Sequence, residues 1–174
     1  IKPGSHDALL NLGSCYSDIN DFPNAILNFK KAIALNPSSG GAYINLGNIY
    51  NRTNQLDEAE KAFKKGYELD PNIPEASYNL GYYYLNKKDY KTAITYFQQA
   101  EKLRPGYLDA LVNLSFCASK LNLYQDVIDY AQKVIAIRAD IPDMYFYIAF
   151  AYDRLGNKAL AQEYQKKGNA LKGK

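Results

Sequence analysis

Residues 42–71 read AYINLGNIYNRTNQLDEAEKAFKKGYELDP, and the pattern in this stretch decides the fold. From Ala42 to Thr53 the apolar residues Tyr43, Leu46, Ile49 and Tyr50 recur at helical spacing, which gives one face of a helix to a core. A polar turn, Asn54-Gln55, follows. Leu56, Ala59, Ala62, Phe63, Tyr67 and Leu69 then mark a second amphipathic helix, ended by Asp70-Pro71. Proline disfavours helix at the residue before it and has no amide hydrogen with which to continue one. Gly47 and Ala59 are small enough for two backbones to approach closely, while Tyr50 and Phe63 fill the space beside them. The stretch therefore predicts a helical hairpin with a jigsaw core, in which Tyr84, the counterpart of Tyr50, is a large core residue.

The hairpin recurs every 34 residues. Pro3, Pro37, Pro71 and Pro105 keep that spacing, as do Gly13, Gly47 and Gly81; Tyr16, Tyr50 and Tyr84; Ala25, Ala59 and Ala93; and Phe29, Phe63 and Phe97. A period of this size marks a solenoid, whose units bury their apolar faces only by stacking on neighbours. The expected units are residues 6–39, 40–73, 74–107, 108–141 and 142–174. Ile1-Lys2-Pro3-Gly4 aligns with Leu35-Asn36-Pro37-Ser38, and residues 1–5 are expected to be the closing turn of a preceding unit, as in a fragment of a longer protein.

Leu46-Gly47, Tyr50, Ala59, Phe63 and Pro71 together resemble the signature of the tetratricopeptide repeat family. The resemblance covers nearly the whole chain. It implies an all-α, right-handed superhelical solenoid of antiparallel helix pairs, with first helices lining a concave groove and second helices forming the back. Two units depart from the signature. The fourth has Ser115, Ala118, Val127, Ala131 and Ala139 at the Gly, Tyr, Ala, Phe and Pro places, yet keeps its helical periodicity. The fifth keeps Tyr145, Ile148, Tyr152 and Ala161 but has Gln165 at the Phe place. Its polar second helix suits an exposed C-terminal cap.

Composition narrows the function. Apolar residues make up 47% of the chain, enough for a buried core. The 21 Lys and Arg nearly balance the 18 Asp and Glu, so no nucleic-acid partner is expected. No stretch approaches the ~20 apolar residues of a membrane span. Cys15 and Cys117 occupy the same place in the first and fourth units, three repeat steps apart, and are expected to be small buried residues rather than a disulfide.

On the groove that the resemblance implies, Asn11, Asn45, Asn79 and Asn113 form a ladder with 34-residue steps. A carboxamide both donates and accepts, so it can pair with a peptide backbone of any sequence. With helices about 10 Å apart and an extended chain rising about 3.3 Å per residue, each Asn would meet roughly every third peptide residue. The ladder is similar to the one lining O-GlcNAc transferase and related peptide-binding arrays; amides at this place also serve to join neighbouring helices. Further along the same face stand Ser14, Asn48, Tyr82, Phe116 and Phe150. Beside the ladder are Leu10, Ile44, Tyr78, Val112 and Phe146, with Tyr147 at the ladder place in the last unit. The groove is thus expected to be polar toward its N-terminal end and aromatic toward its C-terminal end. Tyr78, Tyr82, Phe116 and Phe150 form the preferred cluster for an apolar anchor, unless they pack on adjacent units. Asp7, Glu75, Asp109 and Asp143 near the starts of these helices, and Arg52, Lys120 and Arg154 near their ends, complement the helix dipoles or orient a ligand.

The basic clamp with which chaperone-binding members of the family grip an acidic tail has no counterpart, because Leu10, Ile44, Tyr78 and Asn79 occupy its places. His6 is the one histidine, no CxxC occurs, and no phosphate loop or nucleophile elbow is present, so neither cofactor, metal nor catalytic residue is expected. The expected function is a non-catalytic scaffold that holds an extended peptide segment of a partner. Two alternatives stand beside it. One is the substrate-docking arm of a larger enzyme such as a glycosyltransferase; the other is a self-assembling scaffold that docks through the open face around Leu9 and Leu12.

Overall fold

A computed structural model describes residues 4–173 as a run of helices with short connections. The helices are α1 (His6–Asp18), α2 (Phe22–Leu35), α3 (Gly40–Arg52), α4 (Leu56–Leu69), α5 (Pro74–Asn86), α6 (Tyr90–Leu103), α7 (Leu108–Lys120), α8 (Tyr124–Ile137), α9 (Pro142–Arg154) and α10 (Lys158–Lys172). Of the closing turn expected over residues 1–5, Ile1–Pro3 lie outside the described residues. Gly4 adopts a left-handed conformation there and Ser5 caps α1.

Local chemistry sets the helix ends. Within each pair the turn places its middle residue in the left-handed region: Asn20, Asn54, Lys88, Asn122 and Gly156, with φ of 60°, 59°, 60°, 59° and 82°. Asparagine tolerates this region because its short polar side chain bonds locally, and glycine has no Cβ to clash; lysine has neither advantage. The next residue can then cap the second helix. The side chains of Asp21, Asp89 and Asn157 accept from the N–H three residues on, at 3.3, 3.2 and 3.2 Å. Gln55 and Leu123 stand at the same place without a side-chain cap.

Two bodies divide the chain within α5, one up to Tyr83 and the other from Tyr84 onward. In the first, α1 packs on α2, α2 on α3 and α3 on α4, and α1 also meets α3. In the second, α6 packs on α7, α7 on α8, α8 on α9 and α9 on α10, and α7 also meets α9. First helices therefore lie side by side in each body, which is what creates a candidate binding face.

The small-against-large packing legible in the sequence is present in a specific form. Phe29 lies so close over Gly13 that an added Cβ would stand 2.6 Å from the ring, and Phe63 does the same over Gly47. Both rings are buried. At the corresponding places of α7 and α8 stand Ser115 and Ala131, both fully buried, and the Ser115 hydroxyl donates to the Leu111 carbonyl at 2.9 Å.

Two expectations need correction. Tyr84 is half-buried, with its ring stacked on Tyr96 at 5.6 Å, whereas its neighbour Tyr83 is the buried one and donates its hydroxyl to Glu60 at 2.7 Å. The place of Tyr83 is the more buried one in α3 as well, where Ile49 is 2% exposed and Tyr50 8%. Cys117 is buried as expected, but Cys15 is exposed. Its face of α1 has no helix against it among the described residues, whereas the same place is buried at Ile49, Tyr83 and Ala151. Burial pushes the Cys117 thiol up to about 12.

Candidate functional site: two first-helix clefts

In the N-terminal body α1 and α3 enclose a small cleft of about 120 Å³. Ser14, Ser17 and Asp18 face Asn45 and Asn48 across it, over a floor made by Phe29 and Ile49. Asn45 and Asn48 are half-buried and share this cleft; Asn11, further toward the start of α1, is exposed. Arg52 closes one end. It donates to the Ser17 carbonyl and hydroxyl at 3.3 and 3.0 Å and to the Asn20 side chain at 2.6 Å, and its guanidinium lies 4.7 Å from the Phe22 ring centre. With its donors used this way, Arg52 ties the end of α3 to the turn after α1 and is not spare for orienting a ligand. On α5, Asn79 and Tyr78 are half-buried and Tyr82 is exposed; the two tyrosine rings stack at 6.4 Å.

In the C-terminal body the cleft between α7 and α9 is larger, about 500 Å³. Phe146, Tyr147 and Phe150 supply its apolar wall, and Ser119, Lys120 and Asp143 its polar rim. Phe146 is seated on Gly168 of α10, where a Cβ would approach its ring to 2.5 Å, and Lys172 covers its ring at 4.6 Å. A further hollow of about 550 Å³ runs along α9 and α10 and shares Phe146 and Phe150 as walls. Burial, reinforced by the nearby Asp143 carboxylate and then by Cys117, holds the Tyr147 phenol above its ordinary value. A phenol keeps its proton at neutral pH, so Tyr147 brings a hydrogen-bond donor to an otherwise apolar wall. Asn113 is half-buried on α7.

Phe116 and Phe150 are less available than the sequence alone implies. Tyr90, the first residue of α6, meets Phe116 edge-on at 6.1 Å, and Lys120 lies 5.0 Å from the same ring. Tyr124, the first residue of α8, meets Phe150 edge-on at 6.0 Å, and Arg154 lies 5.2 Å from it. Each phenylalanine thus has an edge partner and a cation, a preferred geometry for both contacts. The expected anchor quartet resolves into a Tyr78–Tyr82 stack in one body and two braced phenylalanines in the other. Lys120 and Arg154 act on rings rather than only on helix dipoles. The missed signal was a spacing: Tyr90 and Tyr124 open second helices 26 residues before Phe116 and Phe150.

Among the described residues there is no group of three or more His, Cys, Asp or Glu able to hold a metal ion, and no helix is long and apolar enough to cross a membrane. His6 accounts for its own position, with Nδ1 3.0 Å from the Ala32 carbonyl oxygen.

Helix pairs with this packing, these small-on-aromatic contacts and this spacing define a helical-repeat solenoid. Three tetratricopeptide-repeat profiles match the chain, at residues 6–39, 28–61 and 142–174, and a profile described as anaphase-promoting complex, cyclosome, subunit 3 matches residues 52–134. The chain is a tetratricopeptide repeat protein. Among solved structures it is similar to the MamA protein, at 26% identity and a TM-score of 0.85, over 97% of this chain and 92% of that one. It is also similar in fold to YrrB, described as a TPR protein with an unusual peptide-binding site. That likeness has 20% identity and a TM-score of 0.86, over 98% of this chain and 88% of that one. No curated protein sequence matches the chain.

Proposed function

We propose that this chain is a non-catalytic interaction module that binds an extended peptide segment of a partner protein on its first helices. The observation that carries the reading is the 500 Å³ cleft between α7 and α9, where three aromatic side chains meet one cation and one anion. Recognition sites characteristically combine a mostly apolar wall with a few placed polar groups. In this reading a bulky apolar side chain of the peptide seats against Phe146, Tyr147 and Phe150. The Tyr147 hydroxyl donates to a peptide carbonyl, and Lys120 and Asp143 set direction by charge. Asn45 and Asn48, with Asn11, Asn79 and Asn113, supply sequence-independent pairing to peptide backbone. The peptide-binding site of YrrB supports the reading by analogy of fold.

Selection of a random peptide display library on the intact chain provides the test. Selected peptides should share a bulky apolar residue. Their affinity should fall about tenfold or more in Tyr147→Ala, and less in the Asn45→Ala/Asn48→Ala double variant. Enrichment of peptides that bind Tyr147→Ala and Phe150→Ala as tightly as the unaltered chain would sink the assignment of this cleft.

A further inference from the structure

One place on the second helices reads Asn28, Ala62, Tyr96, Tyr130 and Tyr164 at 34-residue intervals, so alanine stands where the later pairs carry tyrosine. The last pair shows what the tyrosine does. Tyr164 lies against Tyr145 at 6.4 Å and Tyr152 at 5.8 Å between ring centres, filling the space between α9 and α10 on the side that faces away from Phe150. Tyr96 similarly lies flat on Tyr84, with the ring planes 4° apart. In α3 and α4 the same walls recur as Tyr43, Leu46 and Tyr50, the counterparts of Tyr145, Ile148 and Tyr152. Ala62 leaves the space between them open. The result is a hollow of about 260 Å³, walled by Tyr43, Leu46, Tyr50 and Ala62, with Glu58 and Lys61 at its rim.

We propose that this hollow is a binding site for a tyrosine side chain presented by a partner protein, separate from the first-helix clefts and independent of the function proposed for them. The chain itself supplies the template, because the equivalent walls hold a tyrosine ring at α9 and α10. The size is right for one side chain and falls short of the roughly 300 Å³ at which sites for drug-sized ligands begin. The walls are apolar and aromatic, which suits a ring. The rim presents a carboxylate at Glu58 that can accept from a phenolic hydroxyl and an ammonium at Lys61 that can donate to its oxygen. Tyrosine, with an apolar body and a polar tip, satisfies both wall and rim; a leucine, smaller and without a polar tip, satisfies only the wall.

The probe is N-acetyltyrosinamide, titrated against the intact chain and followed by the methyl resonances of Ala62 and Leu46. Both should shift and saturate, with a dissociation constant on the order of millimolar for so small a ligand. N-acetylleucinamide should bind about fivefold more weakly or worse. Ala62→Tyr should abolish the Leu46 response by placing the chain's own ring in the hollow. If that variant does not fold by circular dichroism, Ala62→Leu serves as the same blockade. Tyr147→Ala should leave the titration unchanged, which separates this site from the α7–α9 cleft. Absent or unsaturable shifts, equal binding of the leucine probe, or a response that survives the blocked variant would each overturn the proposal.

Discussion

The α3–α4 and α7–α8 pairs share one backbone plan and solve its core in opposite ways. The first lets a phenylalanine, Phe63, press on a bare glycine, Gly47. At the same places the second buries a small Ala131 and a Ser115 hydroxyl that is satisfied within α7. The lesson is that a ring at the second-helix place demands a bare glycine at the first, whereas a small residue there tolerates a side chain opposite, as expected where packing density is near that of a crystal. Their groove-side surfaces differ more freely: asparagine and serine line the cleft at α3, and aromatic rings with a cation and an anion line the one at α7 and α9.

The hardest blow to that comparison is Phe63→Ala. It should cost about 3–5 kcal/mol in chemical denaturation, because the ring is buried and Gly47 offers nothing to fill the cavity. Tyr84→Ala, at a half-buried site with one ring face on Tyr96, should cost about half as much. Equal losses would mean that the repeat signature, not burial, ranks the core. Gly47→Ser, which imports the α7 residue into the α3–α4 pair, should destabilise by about 1–3 kcal/mol with Phe63 present and add much less on top of Phe63→Ala. If the double variant is no more stable than the sum of the singles predicts, the steric account fails.

Smaller changes sharpen the contrast at the turns. Leu123→Asp gives α8 the side-chain cap that Asp21 and Asp89 give α2 and α6, and should raise stability by about 1 kcal/mol in a thermal melt. Lys88→Asn relieves a lysine held at a φ of 60° and should add about 0.5 kcal/mol. The two cysteines separate the faces chemically. At pH 8 a thiol reagent should label Cys15 within minutes and leave Cys117 untouched until unfolding. For Cys117 the folded pKa lies above the unfolded value, so its contribution to stability is whole below pH 9.0 and is lost as pH rises toward about 12.

Much of the fold was legible because helical pairing leaves a periodic trace: the 34-residue step, the Gly–Phe contacts at Gly13 and Gly47, and the proline punctuation all follow from one repeated geometry. Less of the site was legible, since sites arise where repeats stop agreeing. The ring at Tyr164 and its absence at Ala62 differ at a place outside the family signature. Bracing of Phe116 by Tyr90 joins residues of successive pairs, a relation that a within-unit pattern cannot express. Tyr83 outranks Tyr84 in burial because neighbouring helices, not the helix's own periodicity, decide which flank is covered.

The connections have a kinetic consequence. Within each body, the helix contacts described join elements that are neighbours, or next neighbours, along the chain, through turns of three or four residues. Closing such loops forfeits little chain entropy, and contact order is correspondingly low. Any helix pair can then serve as a nucleus, with growth spreading to the next by adjacency. A damaged pair should fray where it stands and leave its neighbours' hydrogen-exchange protection largely intact, so that the array loses surface by segments rather than all at once.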